Sequence, residues 1–266
     1  MRGDHLRVKE IINSKHPVTH GDDPATKARA LVRDYSLRIL PVVDENEKLL
    51  GIISRGSLLT ISSSVSPIQV KGIMADPKYV ASLEEDAYSA VKQMISLDEW
   101  YVPVVNSPQD KTYRGVLGLD GFIEAIIRTS PEKLAKEVSA VMSTNVVCCS
   151  PDDEVEQVWR LMRERSFSGL PVVKKEKLVG MITQKDQLES GKVLSGFESR
   201  KGRFRASLKV HMVMKKNVVA VEPSVKAISV AKAMISKDIG RVPVTDEKGK
   251  LVGMVDREDI VRLIVK

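Results

Sequence analysis

The stretch GLPVVKKEKLVGMITQKD, Gly169 to Asp186, decides how this chain is read. A short apolar run carrying one proline, GLPVV, is followed by a polar turn. A glycine at 180 then introduces a second apolar run that ends on Thr183, with Asp186 three residues on. Two β-rich runs joined by a few polar residues read as a hairpin. The Thr and the Asp at the strand-to-helix joint admit two readings: a capping box that satisfies backbone amides, or a pair of polar groups held ready for a ligand. Repetition helps to choose between them. The proline-bearing run recurs as ILPVV (39–43), YVPVV (101–105) and RVPVT (241–245), and its following glycine as Gly51, Gly115 and Gly253. The four prolines are 62, 68 and 72 residues apart, so one unit is present four times.

Counting back from each proline tests the repeat independently. Sixteen, thirteen and nine residues upstream stand Ala25, Ala28 and Val32 in the first unit, and Ala87, Ala90 and Met94 in the second. The third has Val155, Val158 and Met162, and the fourth Ala227, Val230 and Met234. Positions i, i+3 and i+7 share a helical face, so each unit contains an amphipathic helix at the same phase, its methionines serving as core. SPDD from Ser150 reads as a helix start, with Ser150 as N-cap and Asp153 at N3, and Pro24 and Pro223 suit early helical positions. Short β-rich runs precede the helices, as in NVVCC (145–149) and NVVAV (217–221), and DREDIVRLIV (256–265) reads as a closing helix. The unit is therefore strand, helix, strand, strand, helix, an α+β class. A three-stranded sheet with both helices on one side leaves an apolar face bare, and pairing of units would cover it.

Bulk properties narrow the function. The chain has 266 residues, 42% hydrophobic and 29% charged, as expected of a globular protein. No apolar run approaches the ~18 residues of a membrane span, and MRGDHLRVKE lacks the apolar core of a secretory signal, so a cytoplasmic location without membrane association is expected. Cys148 and Cys149 are adjacent, which suits packing and not a disulfide framework. The net charge of +7 is concentrated between Gly191 and Lys209, where six basic residues face the single Glu198. This segment is either a solvated linker or a nucleic-acid contact, with only Phe197 and Phe204 available for base stacking. His5, His16, His20 and His211 have no metal-ligand spacing, and no nucleophile elbow or Walker loop occurs, so no catalysis and no catalytic cofactor is expected.

The order of elements, the PVV…G spacing and the TQKD joint resemble the CBS domain, the regulatory module named after cystathionine β-synthase. The resemblance spans residues 5–62, 68–129, 137–190 and 208–266, with 191–207 as a basic linker. It implies four tandem CBS motifs paired into two Bateman modules, assembled as a disc as in the gamma subunit of AMP-activated protein kinase. It further implies a regulatory ligand, AMP, ADP or ATP, in clefts between paired repeats, and a protein partner or a homodimer formed through the discs. S-adenosylmethionine or another adenosyl ligand is the alternative. The family's ligand signature is Gly, an apolar residue, any residue, Ser or Thr, two residues, then Asp. The third repeat matches fully with Gly180, Met181, Thr183 and Asp186; the fourth keeps Gly253, Met254 and Asp259 but has Asp256 where a hydroxyl is usual. The first has Ser54 and Ser57, and the second Gly118 and Gly121, so the C-terminal half is the better equipped binder.

Chemistry supports the signature. An ionised Asp accepts from both ribose hydroxyls while a Thr hydroxyl donates to phosphate, near a helix start whose amides favour anions. By residue type, the family pattern nominates Val147, Phe167 and Ser168 around the base of the Asp259 cleft and Val219 in the Asp186 cleft, with Arg241 as a phosphate-gripping cation. Lys185 and Arg257, beside the helix starts, and His211 are weaker candidates. For Lys185 and Arg257 the alternative is a solvated surface charge.

Overall fold

The structure is a computed structural model that describes residues 6–58, 67–190 and 208–265. The 191–207 linker, and with it most of the basic segment, lies outside the described residues. Four hairpins carry the architecture. In the first repeat β1 (Thr19–His20) runs parallel to β2 (Ile39–Val43), which pairs antiparallel with β3 (Leu49–Ser54). The second repeat has the same order in β4 (Ala81–Ser82), β5 (Tyr101–Val105) and β6 (Tyr113–Gly118). The third and fourth contain the pairs β7 (Gly169–Lys174) with β8 (Lys177–Thr183) and β9 (Arg241–Thr245) with β10 (Leu251–Asp256).

The expected first strands at 145–149 and 217–221 shrink to single parallel bridges, Cys149 to Val172 and Val221 to Val244. Only the last residue of each run reaches the sheet. Cys149 donates to the Pro171 carbonyl at 3.0 Å and accepts from Val173 at 2.8 Å, while Val147 stays exposed. Strand propensity without a packing partner does not hold a ladder.

The helical stripe is realised in α1 (Ala25–Asp34), α3 (Ala87–Ser96), α5 (Val155–Glu164) and α7 (Ala227–Ser236), where all twelve stripe residues are buried. Each of these helices ends in the same way. Ser36, Asp98, Ser166 and Asp238, five residues before the proline of each following strand, adopt φ between 47° and 56°. One left-handed residue turns the chain from helix into sheet. The start expected at Ser150 is a turn instead: Asp153 accepts from the Ser150 amide at 2.8 Å, and α5 begins at Val155 with Glu154 as N-cap. Pro24 is the N-cap of α1, whereas Pro223 lies ahead of the Lys226 N-cap of α7.

The repeats are laced together by their leaders. Val8 donates to Glu85 of the second repeat and Val70 to Asp23 of the first; Val138 donates to Val225 of the fourth and Val210 to Asp153 of the third. These four valines are fully buried, so each leader supplies core to its partner. The recurrent hairpin glycine marks the crossing: a Cβ at Gly180 would stand 2.9 Å from the Lys215 carbonyl, and one at Gly115 2.6 Å from that of Asn13. Blocks contiguous in sequence are thus interleaved in space. The remaining helices, α2 (Arg55–Leu58), α4 (Leu119–Thr129), α6 (Gln184–Ser190) and α8 (Arg257–Arg262), join the two pairs. One core combines the second and fourth repeats around Phe122, Met234 and Val261. Another joins Leu188 of the third repeat to Leu40, Ile53 and Leu58 of the first. Two paired modules therefore meet through their helices.

Candidate ligand-binding clefts

At the joint of β8 and α6, the Asp186 carboxylate is 5% exposed. Its Oδ2 accepts from the Thr183 amide at 2.9 Å and from the Thr183 hydroxyl at 2.6 Å, while the Asp186 amide donates back to Thr183 Oγ1 at 3.2 Å. The capping box is real. It uses one carboxylate oxygen, and the other stands 2.9 Å from Nζ of Lys215, a side chain carried in on the leader of the fourth repeat. Burial works to lower the Lys215 pKa, but the bond to Asp186 and the nearby Glu189 raise it on balance. Lys215 was not nominated by the sequence; its only signal is proximity to the run that holds Val219. Met181 is buried, and its backbone exchanges hydrogen bonds with Lys215 at 2.9 and 2.8 Å. Val219 is half-buried on the same run. Lys185 turns to Glu189, 3.8 Å away, and His211 to the Pro151 carbonyl at 3.0 Å, so each has a local occupation.

The Asp259 joint repeats the box with two carboxylates. Asp259 accepts from the Asp256 amide at 2.9 Å, and Asp256 accepts from the Asp259 amide at 3.0 Å. Burial, then the charge of Asp256, pushes the Asp259 pKa up from 3.8 to about 7. Across β9 and β10 the register sets Arg241 opposite Asp256. The Arg241 guanidinium bonds to the Ser168 hydroxyl and lies over the Trp100 ring, 4.9 Å from its centroid. Burial lowers its pKa, with Asp256 pulling the other way. The structure thus brings Ser168, Arg241 and Asp256 to one place with Asp259 beside them. Phe167 is half-buried next to Ser168, and its carbonyl accepts from Gln184 at 3.3 Å. Val147 is exposed, and Met254 is buried with its backbone bonded to Ser143 at 2.9 Å. Trp100, from the other module, escaped the sequence reading because nothing local links it to Arg241.

The raised Asp259 pKa has a consequence for stability. Between about pH 4 and pH 7 the folded chain holds a proton that the unfolded chain has released, so stability falls as pH rises through that window and is flat above it. An Asp259→Asn variant keeps an acceptor for the Asp256 amide and should remove this slope. Unfolding midpoints measured from pH 4 to 8 in both proteins check it; parallel curves would refute the assignment.

Arg257 corrects the sequence reading. It is neither a solvated charge nor turned to the Asp259 cleft, but 1% exposed, the most buried charged side chain among the described residues. It reaches the second repeat, bonding to the Tyr101 hydroxyl and standing 3.4 Å from Asp120, and it also lies 3.3 Å from Asp238. Arg55, at the same place in the first repeat, is likewise buried and donates to the Leu37 carbonyl at 2.9 Å. In that repeat Ser54 and Ser57 meet through their hydroxyls at 2.8 Å, a cap without a carboxylate.

The N-terminal module, despite its poor signature, borders a half-open cavity of about 560 Å³. Its wall includes His16, Arg38, Tyr101 and Asp120 from the first two repeats and Asp238 and Arg257 from the fourth. Asp120 stands one residue before the place where the signature requires its carboxylate, a shift that motif matching does not register. Among the described residues there is no cluster of three or more His, Cys, Asp or Glu able to hold a metal ion, and no helix long and apolar enough to cross a membrane.

Known proteins share this architecture. The family profile described as CBS domain matches residues 8–64, 137–186 and 210–266, more than half of the chain. Uncharacterized protein MJ1225 of Methanocaldococcus jannaschii is 22% identical, over 97% of this chain and 98% of its own. Its crystal structure, described as a candidate archaeal homolog of g-AMPK, matches with a TM-score of 0.85 at 23% identity, covering 97% of this chain and 100% of that one. An uncharacterized conserved protein from Pyrococcus horikoshii matches with a TM-score of 0.69 at 20% identity, covering 98% and 100% of the two chains. At these identities the likeness is one of fold. Inosine-5'-monophosphate dehydrogenase of Korarchaeum cryptofilum is 29% identical over 60% of this chain, but the match spans only 33% of the enzyme.

Proposed function

The chain belongs to the CBS domain family, and from that premise we propose that it is a non-catalytic sensor binding adenine nucleotides, AMP, ADP or ATP, in the clefts of its C-terminal half. The observation that carries this reading is the buried Asp186 carboxylate, whose Oδ2 accepts from the Thr183 hydroxyl while its Oδ1 has no hydrogen-bond partner among the described residues and only the Lys215 ammonium beside it, at 2.9 Å. Lys215 is mostly exposed and can swing from the carboxylate to a phosphate, which frees Oδ1 to accept from ribose hydroxyls. The cap through Oδ2 then persists, so capping and ligand binding are not alternatives at this joint. In the Asp259 cleft, Ser168 and Arg241 are the donors for an anionic group.

A second ligand class is favoured by one feature of that second cleft. Asp256 and Asp259 place two carboxylates where the signature has one, which suits an adenosyl ligand with a neutral or cationic 5'-substituent, such as S-adenosylmethionine. Signalling to a protein partner, or to a second copy of the chain, requires that the ligand prefer one arrangement of the paired repeats, since equal affinity shifts nothing. The activity of the dehydrogenase is not carried over, because only a third of that enzyme is matched. Binding of nucleic acid through 191–209 is the weaker reading, as that segment offers only Phe197 and Phe204 for base stacking.

Titration calorimetry with AMP, ADP, ATP and S-adenosylmethionine tests the proposal. Asp186→Ala is expected to weaken nucleotide binding at its own cleft by about 1 to 3 kcal/mol, the range for a hydrogen bond to a charged group. Unchanged affinity in both Asp186→Ala and Asp259→Ala would overturn the assignment of these clefts.

A further inference from the structure

Trp100 stands outside the module that holds the Asp259 cleft, yet it touches the cation of that cleft. We propose that Trp100 is a positioning residue for anion recognition: it holds the Arg241 guanidinium in place for a phosphate bound in the Asp259 cleft, so that this cleft is complete only while the two modules are in contact. The role rests on the reading of Arg241 as a donor to an anionic group. Arg241 is the exception among the arginines where the modules meet. Arg38 pairs with Asp238 at 3.2 Å, and Arg257 lies 3.3 Å from Asp238 and 3.4 Å from Asp120. Arg241 has no ion pair among the described residues; the Ser168 hydroxyl and the Trp100 ring face meet it instead. Burial lowers its pKa, and Asp256, Asp98 and Asp259 offset part of that from a distance. A half-buried cation in this state lacks a direct counter-charge, which an anion entering the cleft would supply.

Stacking suits this task. The ring engages the flat face of the guanidinium, while its N–H groups radiate from the edge and stay available to acceptors. The long side chain is thereby ordered before a ligand arrives, and less rotamer freedom is lost on binding. The platform itself is fixed. Trp100 packs against the core shared by the second and fourth repeats, its carbonyl accepts from the Leu119 amide at 3.0 Å, and a Cβ on Gly240 would stand 3.0 Å from its ring. Gly240 immediately precedes Arg241, so the start of β9 and the indole are fitted to each other. A shift between modules would part ring and guanidinium, and would weaken a charged ligand before an uncharged one.

The test compares AMP with adenosine by calorimetry in the full chain carrying Asp186→Ala, counting the binding that Asp259→Ala removes. AMP should bind more tightly than adenosine, and Arg241→Leu should abolish the difference. Trp100→Leu should reduce the preference for AMP about three- to thirtyfold, and Trp100→Phe, which keeps a ring face, should retain most of it. A fault in folding would weaken both ligands alike. In a Trp159→Phe protein Trp100 is the single tryptophan, and its emission should shift more on saturation with AMP than with adenosine. This measurement decides the matter if Trp100→Leu does not fold. No preference for AMP, or one that survives Arg241→Leu, would overturn the anionic reading of the cleft and the role of Trp100 with it. A preference that Arg241→Leu removes but a folded Trp100→Leu protein keeps would leave that reading standing and overturn the positioning role alone. So would Trp100 emission that responds equally to the two ligands.

Discussion

An Arg257→Ala variant is expected to lose about 2 to 4 kcal/mol of unfolding free energy, measured by urea denaturation. The side chain is 1% exposed and crosses from the fourth repeat to the second. Breaking a buried ion pair by removing one partner typically costs about 3 to 5 kcal/mol, because the other charge is left without compensation. Here Asp120 and Asp238 are 37% and 52% exposed, so water screens what remains, and the Coulomb part of the loss is smaller. Lost packing restores much of the total: the truncation leaves a void between modules and strands the Tyr101 hydroxyl with Asp120 as its remaining partner. Lysine should not rescue the loss, because one ammonium cannot span Tyr101, Asp120 and Asp238 as a planar fork does. A change within about 0.5 kcal/mol, the size of an ordinary surface substitution, would mean that this contact between modules is incidental.

What the sequence made legible follows from the range of each interaction. The helical stripe was readable because burial of one face imposes its period on residues three and four apart, and all twelve nominated positions are buried. The hairpins were readable because their partners lie within about a dozen residues, and pairing of the units followed from an uncovered sheet face. The exchange of leaders was not readable. Val8 meets Glu85 and Val138 meets Val225 across nearly eighty residues or more, and a valine that packs on its neighbour has the same local pattern as one that packs on its own repeat. Arg257 was misread for a related reason. Adjacency to a helix start says where its Cα lies, but its burial is set by Tyr101 and Asp120 of another module. The Thr183 and Asp186 pair was legible as a motif, and its cap is present; the Lys215 contact that qualifies it arrives on a distant leader.

Restoring the signature in the second repeat should damage the protein instead of creating a cleft. Gly121 occupies the place of the ribose-binding Asp, and at face value Gly121→Asp would repair the motif. A Cβ at that position, however, would stand 2.5 Å from the backbone carbonyl oxygen of Ile11. That leader cannot retreat cheaply, because it is pinned on both sides: the Val8 amide donates to Glu85 at 3.0 Å, and the Asn13 amide to Val116 at 2.9 Å. Gly118 is crowded by side chains and not by backbone, since a Cβ there would stand 2.1 Å from Asp120 Oδ1 and 2.6 Å from the Tyr101 ring, and rotation of Asp120 relieves the first of these. Forcing extra atoms into a packed site costs about 1 to 3 kcal/mol and more where the obstacle is backbone, so Gly121→Asp is expected to cost roughly 3 kcal/mol or more. Hydrogen exchange localises the cause, for the Val8 and Asn13 amides should lose protection while those of the C-terminal module keep theirs. A Gly121→Asp protein with unaltered stability and a protected leader would show that the glycine is a lapsed ligand position; the crossing of Ile11 makes it a structural requirement.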